Sequence, residues 1–305
     1  MAKIFLLVIS VALLTSCDFV KGFKEGVKMG KKIVENADRV VNGYGEEVET
    51  YLTRFERDTF ILDQQTIDYT FTCDGEPKTK TIQPSLIVTF IKHGTLMLDI
   101  KGWDCTLIHV DPVSMFGIDY SKMPKADIVL VTHEHGDHMD TVAISAISDE
   151  ETRFYSNERV AEITGVSKAL KEGQIETSNT LNIIPVAAYN TTEGHMDFHP
   201  KGRDNGYVLE ICRDPMAVGE KRYFRIYIAG DTEPIEEMKS LGDIDIAFIP
   251  VNQPYTMTAE QAIEAIEMIK PKVVYPYHYG ETDLAPIVEH FKENGDIEVR
   301  IRQMQ

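Results

Sequence analysis

The amino-acid sequence predicts an α/β fold, and two observations predict it. Short apolar, β-branched runs bounded by polar turns recur in both halves of the chain, and helical patterns follow each group of them. About 245 residues lie beyond the N-terminal region, within the range of one large domain or two fused halves. No low-complexity tract or internal linker divides them.

The elements follow in order. Leu86 to Ile91, Leu96 to Ile100 and Thr106 to Val110 read as successive strands, with turns at His93-Gly94 and Lys101-Gly102. Ile128-Val129-Leu130-Val131 reads as a buried strand, which places the residues after it on a loop. Ser156-Asn157 and Gly165 frame a helix, with a polar start and a glycine stop. Leu181 to Ala188, Tyr207 to Ile211 and Tyr223 to Ala229 are again strand-like. Thr258 with Gln261 forms a capping box, and Pro271 ends the helix from Ala259 to Lys270. Asp283 to Asn294 reads as a last helix, closed by Gly295.

Residues 1–16 read as a signal peptide. Lys3 supplies a positive start, and Ile4 to Leu14 form an apolar stretch. That stretch falls short of the roughly 20 residues that span a bilayer, and it suits a secretory signal. Leu14-Thr15-Ser16-Cys17 resembles a bacterial lipobox. The resemblance implies that Cys17 is lipidated and that the protein is an exported lipoprotein anchored to a membrane of the bacterial cell envelope. Residues 17–57 read as the anchor and a partly helical tether. Lys21, Lys24, Lys28, Lys31 and Lys32 cluster there, and Phe19, Phe23, Val27, Val34, Ala37 and Val41 recur at helical steps. A basic amphipathic segment beside an acyl anchor suits anionic lipid. Gly22, Gly26 and Gly30 weaken the helix by about 1 kcal/mol each relative to alanine, which favours a plain tether. Residues 58–305 form the remaining domain.

The chain carries 31 basic and 49 acidic residues, a formal charge of −18, and without the N-terminal lysines the body is more acidic still. Such a field repels phosphate backbones, so no nucleic-acid partner is expected. Of four cysteines, Cys105 and Cys212 sit in strand-like runs and read as small apolar core residues. No cysteine is assigned to metal, and the sequence leaves the oligomeric state open.

Thr132-His133-Glu134-His135-Gly136-Asp137-His138 places three imidazoles and a carboxylate on the loop after the Ile128 run. Histidine is the commonest nitrogen ligand for zinc, and carboxylates join it where the site does chemistry. This His-x-His-x-Asp-His spacing resembles the signature of the metallo-β-lactamase-fold hydrolases. Tyr189-Asn190 with Phe198-His199-Pro200-Lys201-Gly202, Ala229-Gly230-Asp231-Thr232 and Pro276-Tyr277-His278-Tyr279 resemble that family's later ligand loops, in register. The branch most resembled includes ascorbate-phosphate lactonases and the N-acyl-phosphatidylethanolamine phospholipase D group.

The resemblance implies an αββα sandwich, two mixed sheets face to face with helices outside. It assigns His133, His135 and His199 to one divalent metal ion and Asp137, His138 and His278 to a second, with Asp231 bridging them. Zinc is the expected ion, with manganese or iron as alternatives. Histidine at position 135, rather than glutamate, points to hydrolysis and away from the di-iron oxygen reductases. The implied chemistry is a metal-activated hydroxide acting on a small ester, lactone or phosphodiester, with Asp137 and Asp231 as the catalytic carboxylates. A small-molecule or lipid substrate is expected. The alternative is an exported metal-containing binding lipoprotein without turnover. His195 and His199 share one loop, and the Phe-His-Pro-Lys-Gly context selects His199. His93 resembles a turn near the metal pocket, or is a histidine satisfied by backbone. Asp111 either orients a ligand histidine or caps a turn. Lys201 and Arg203 suit a phosphate or carboxylate, or are solvated loop charges. Tyr277 and Tyr279 are candidates to line the pocket, and His109 and His290 are read as structural or exposed.

Overall fold

The computed structural model describes residue 39, residues 43–73 and residues 76–305. The expected signal peptide, Cys17 and the lysine-rich part of the tether lie outside the described residues. Among the described residues no helix is long and apolar enough to cross a membrane.

The end of the expected tether packs onto the body. Helix α1 (Glu46–Leu52) buries Tyr51 and Leu52, and Arg39 pairs with Asp127 at 3.0 Å. Strands β1 (Glu56–Ile61), β2 (Ile67–Cys73) and β3 (Glu76–Ile82) follow, then β4 (Ser85–Lys92), β5 (Thr95–Lys101) and β6 (Thr106–Val110). Next come β7 (Ile128–Leu130), α2 (Thr141–Ile147), β8 (Arg153–Ser156), α3 (Glu158–Thr164) and β9 (Lys168–Ala169). The second half holds β10 (Glu176–Thr177), β11 (Leu181–Ala188), β12 (Asp204–Cys212), β13 (Tyr223–Ile228) and β14 (Ile246–Pro250). It ends with α4 (Ala259–Ile269), β15 (Val273–Tyr277), α5 (Ala285–Phe291) and β16 (Glu298–Val299).

These strands build two seven-stranded sheets, in the orders β1-β4-β5-β6-β7-β8-β9 and β10-β11-β12-β13-β14-β15-β16; β2 and β3 form a separate hairpin. Both sheets are mixed: β6 to β9 and β13 to β16 run parallel, and the earlier strands of each pair antiparallel. Side chains alternate across a strand. Leu86, Val88, Phe90, Ile128 and Leu130 therefore meet Leu209, Ile226, Ile228 and Phe248 in the core between the sheets. Val129 and Val131 point outward to α1 and α2, while Ala247 and Ile249 point outward to α4 and α5. Burial of both faces explains the continuous apolar runs in the sequence. The architecture is the αββα sandwich.

The predicted helices from Asn157 and Thr258 form with the expected caps. Asn157 accepts from Val160 N, Gly165 ends α3 in the left-handed region, and both halves of the Thr258–Gln261 box are present. The last helix is shorter than the sequence pattern suggests. Asp283 is spent on a turn, accepting from Ala285 N, and Asn294 folds its side chain onto Asp296 N and Ile297 N.

Candidate metal centre

The site lies at one end of the sandwich, where loops following strands of both sheets meet. Asp111, which follows β6, adopts a positive φ of 45°. From there its carboxylate accepts from Thr132 N and Thr132 Oγ1, both at 2.8 Å, and pairs with His138 Nδ1 at 2.8 Å. One buried carboxylate thus fixes both ends of the Thr132–His138 loop. Of its two sequence readings, orienting a histidine is met through His138, and the carboxylate bonds the distant Thr132 rather than capping its own turn. Thr132 Oγ1 gives its proton to Asp111, so it accepts from His133 Nδ1 at 3.0 Å and leaves the His133 Nε2 lone pair for the site. Loop closure follows through His138 N and Met139 N, which both donate to His135 O. Asp140 then caps α2 and holds Ser114 N.

The second sheet supplies its share from the ends of β11, β13 and β15. Gly230 follows β13 at φ 65°, and a Cβ there would stand 2.9 Å from Asn205 O of β12 and 3.3 Å from Thr132 of the first sheet's loop. Only glycine lets Asp231 approach the first sheet's loop so closely. His199, in the loop before β12, pairs with Asp204 through Nδ1 at 2.9 Å. Arg203 in turn donates to Asp204 and to Phe198 O. His278 follows β15 in the left-handed region, φ 48°, and its N–H donates to His93 O.

The structure brings all seven expected ligands together. His133, His135 and His199 form one group and His93, Asp137, His138 and His278 another, with the ligand atoms of each within 4.8 Å of one another. Asp231 lies between them. Its carboxylate stands 3.3 Å from His138, 3.4 Å from His199, 3.4 Å from His278 and 3.9 Å from His133. His135 Nδ1 approaches His133 Nε2 at 3.1 Å.

The electrostatics suit cations. Burial and the neighbouring histidines His138 and His199 hold His133 well below its ordinary pKa, and burial with His199 and Arg203 lowers His135. Both imidazoles are therefore neutral, as ligands must be. Burial works against ionisation of Asp137, but His278 and His93 overcome it and hold the carboxylate well below its usual range. Asp231 is likewise lowered, with burial opposed by His138 and His278. His138 goes the other way: burial lowers it, yet Asp231 and Asp111 raise it well above its ordinary value. The best evidence of fit is a set of orphans. His138 Nε2, His278 Nε2 and Asp231 Oδ1 are buried without a hydrogen-bond partner. Unpaired buried polar atoms are costly, and three converging on one point suit a cation.

Other candidates fall elsewhere. His195 turns to Glu233 at 3.2 Å, outside the cluster. His93 does more than satisfy its backbone: its Nε2 stands 3.1 Å from Asp137, and its ring lies 3.7 Å from that of His278. Tyr277 is fully buried with its hydroxyl at Gly230 N, so it braces the Asp231 turn and does not line a pocket; Tyr279 bonds Arg302 O. Lys201 is engaged by Glu237 and Tyr189. His109 is buried against Pro124 O, and exposed His290 pairs with Glu267. Cys105 and Cys212 are buried away from the site. Sequence reasoning missed Asp204 and Glu233. Asp204 opens a strand five residues after His199, a weak signal. Buried Glu233 accepts from Thr191 N and Thr192 N and so shapes the His199 loop; nothing in its spacing marks it.

Comparison with known proteins gives concordant matches. The family model for the β-lactamase superfamily domain matches residues 87–278. A UPF0173 metal-dependent hydrolase of Nanoarchaeum equitans is 30% identical over 208 residues, covering 63% of this chain and 83% of that protein. A crystal structure of a proposed metal-dependent hydrolase from Parabacteroides distasonis is 45% identical, with TM-score 0.66, covering 79% of this chain and 100% of that one. Igni18, a metallo hydrolase of Ignicoccus hospitalis, shares the fold at 22% identity and TM-score 0.56, covering 72% and 95% of the two chains.

Proposed function

This chain belongs to the β-lactamase superfamily and is a metal-dependent hydrolase, and we propose that it is binuclear and acts on a small ester, lactone or phosphodiester. One observation carries the binuclear reading: Asp231 touches histidines of both ligand groups, and buried, unpartnered atoms surround it. His133, His135 and His199 would hold one cation, Asp137, His138 and His278 the other, and Asp231 both. Bound there, zinc or a similar divalent ion would supply Lewis acidity and bring the pKa of water down to about 7.

The protein's own groups supply the rest. Asp111 and Asp204 fix the rings of His138 and His199 through their Nδ1 atoms, so that Nε2 faces the centre in each. Asp137 is ionised and is the most exposed carboxylate of the cluster, with 35% of its side chain open to solvent. It is assigned the proton-accepting role, with His93 holding its Oδ2 in place. We further propose an exported lipoprotein anchored through Cys17, on the lipobox-like Leu14–Cys17, and akin to the branch of the ascorbate-phosphate lactonases and the N-acyl-phosphatidylethanolamine phospholipase D group, on the resemblance of its ligand loops.

Activity is tested on zinc-loaded protein with a lactone panel and a generic phosphodiester. Asp231→Ala is expected to abolish turnover with the fold retained. Residual kcat above about a tenth of wild type, a barrier change under about 1.4 kcal/mol, would refute the role given to Asp231.

A further inference from the structure

Around the metal centre, loops and the start of α2 carry apolar side chains that stand exposed or half-exposed. Met115, Val142, Met196 and Tyr255 are 64%, 73%, 48% and 47% exposed, and Phe116 and Phe198 are partly exposed. Single exposed apolar residues are ordinary, but a cluster at one mouth marks a binding site.

These six residues form two flanks, each tied to a different ligand group. Phe116 packs its ring 5.0 Å from His93, which itself holds Asp137 and lies tilted against His278 at 3.7 Å. Ser114 N bonds Asp140, the cap of α2, and so brings the Met115 loop and Val142 to the same side. On the other flank Phe198 directly precedes His199 and packs 5.1 Å from the Tyr255 ring. Asn190 ties that flank together by donating to both His195 O and Tyr255 O.

Apart from the proposed metals, the charged side chains of the His199 loop offer an anion no help. Lys201 and Arg203, the cations of the His199 loop, are both committed to acids. Lys201 lies 2.9 Å from Glu237, and Arg203 lies 2.7 Å from Asp204 and 3.6 Å from Glu134. Glu134 Oε2 is buried with no hydrogen-bond donor of its own. A phosphodiester would meet these carboxylates without a free cation from that loop, whereas an uncharged carbonyl with a hydrocarbon tail would gain the flanks.

From these observations, and resting on the hydrolase reading above, we infer that the substrate is an uncharged ester or lactone whose acyl group is a hydrophobic chain lodged between the two flanks. Hydrolysis adds water across the acyl C–O bond; the acid takes the hydroxyl and the alcohol takes the proton.

The test is a series of p-nitrophenyl esters from acetate to octanoate, with bis-p-nitrophenyl phosphate beside them, on zinc-loaded full-length protein. kcat/KM is expected to rise about tenfold along the series, since a half-open rim removes only part of each methylene from water. The octanoate ester is expected to exceed the phosphodiester. Met115→Ser/Met196→Ser is expected to lose about fivefold of the chain-length gain, and Val166→Ser, remote and exposed, to keep it. Binding is read separately by calorimetry with the uncleaved amides N-methyloctanamide and N-methylacetamide, the first expected to bind at least tenfold more tightly.

Turnover with no chain-length gain, or a preferred phosphodiester, would overturn the inference and leave the hydrolase reading standing. Turnover of neither class would overturn both. If the double variant instead loses sedimentation with anionic phospholipid vesicles while its ester series is unchanged, the flanks contact a membrane and the inference fails.

Discussion

At the scale of single residues, the centre is held by carboxylates and a glycine as much as by its ligands. Asp111 and Asp204 each spend an oxygen on a histidine Nδ1, and Thr132 does the same for His133 through its hydroxyl. Gly94 is closely packed against a ligand: a Cβ there would stand 2.8 Å from His138 Cε1. Gly94→Ala must displace either the β4–β5 turn or the His138 ring. Overpacking of this kind costs about 1–3 kcal/mol. Chemical denaturation is expected to show a loss of that size, and equilibrium dialysis a weaker hold on zinc. An alanine variant with wild-type stability and zinc affinity would mean that the ring has room to move.

At the scale of elements, the early strands of each sheet, β4 to β6 and β11 to β13, were legible, whereas β14 and β15, the latter leading into His278, were not read. β4, β5, β6 and β11 fall within a residue or so of the apolar runs that predict them; β5 and β6 are buried on both faces, and β11 alternates buried and half-buried positions. Strands β1 and β3 escaped, since Glu56–Ile61 and Glu76–Ile82 carry little apolar alternation, while β2 went unread although Ile67, Tyr69, Phe71 and Cys73 alternate. α1 was hidden for a related reason. Its sequence, Glu46–Leu52, reads as a charged tether until Tyr51 and Leu52 find a core that only tertiary folding provides. The ligand loops were legible because chemistry restricts residue type there: His-x-His-x-Asp-His needs no fold to be noticed. Their supports were less so, as an aspartate such as Asp204 resembles any surface acid until its partner is in place. The capping box of α4 was readable because its bonds are local. Thr258→Ala removes the acceptor for Gln261 N and is expected to cost about 1 kcal/mol of stability in urea unfolding. An unchanged midpoint would show that α4 is held by packing against β14 alone.

At the scale of the whole molecule, two sheets from the two halves of the chain meet so that their end loops share one centre. Folding and metal binding are therefore linked, and so are stability and pH. His109 lies buried in β6 with Nδ1 unpartnered, and burial pushes its pKa down to about 4. In the unfolded chain it takes a proton near its ordinary value of 6.5. Between these values the unfolded state binds more protons, so stability falls as pH drops through that window, by up to about 3 kcal/mol. Above pH 6.5 this contribution is constant. His109→Gln keeps a donor for Pro124 O and is expected to flatten the acid limb relative to wild type; parallel curves from pH 7 to 4 would contradict this. The convergence of the loops is tested most directly by titrating metal-free protein with zinc, following bound metal and thermal unfolding together. Two ions per chain are expected, with a rise in Tm of about 10 °C at 1,000-fold excess over Kd and loss of both effects in Asp231→Ala. Zinc binding that leaves Tm unmoved, or that survives Asp231→Ala undiminished, would contradict it.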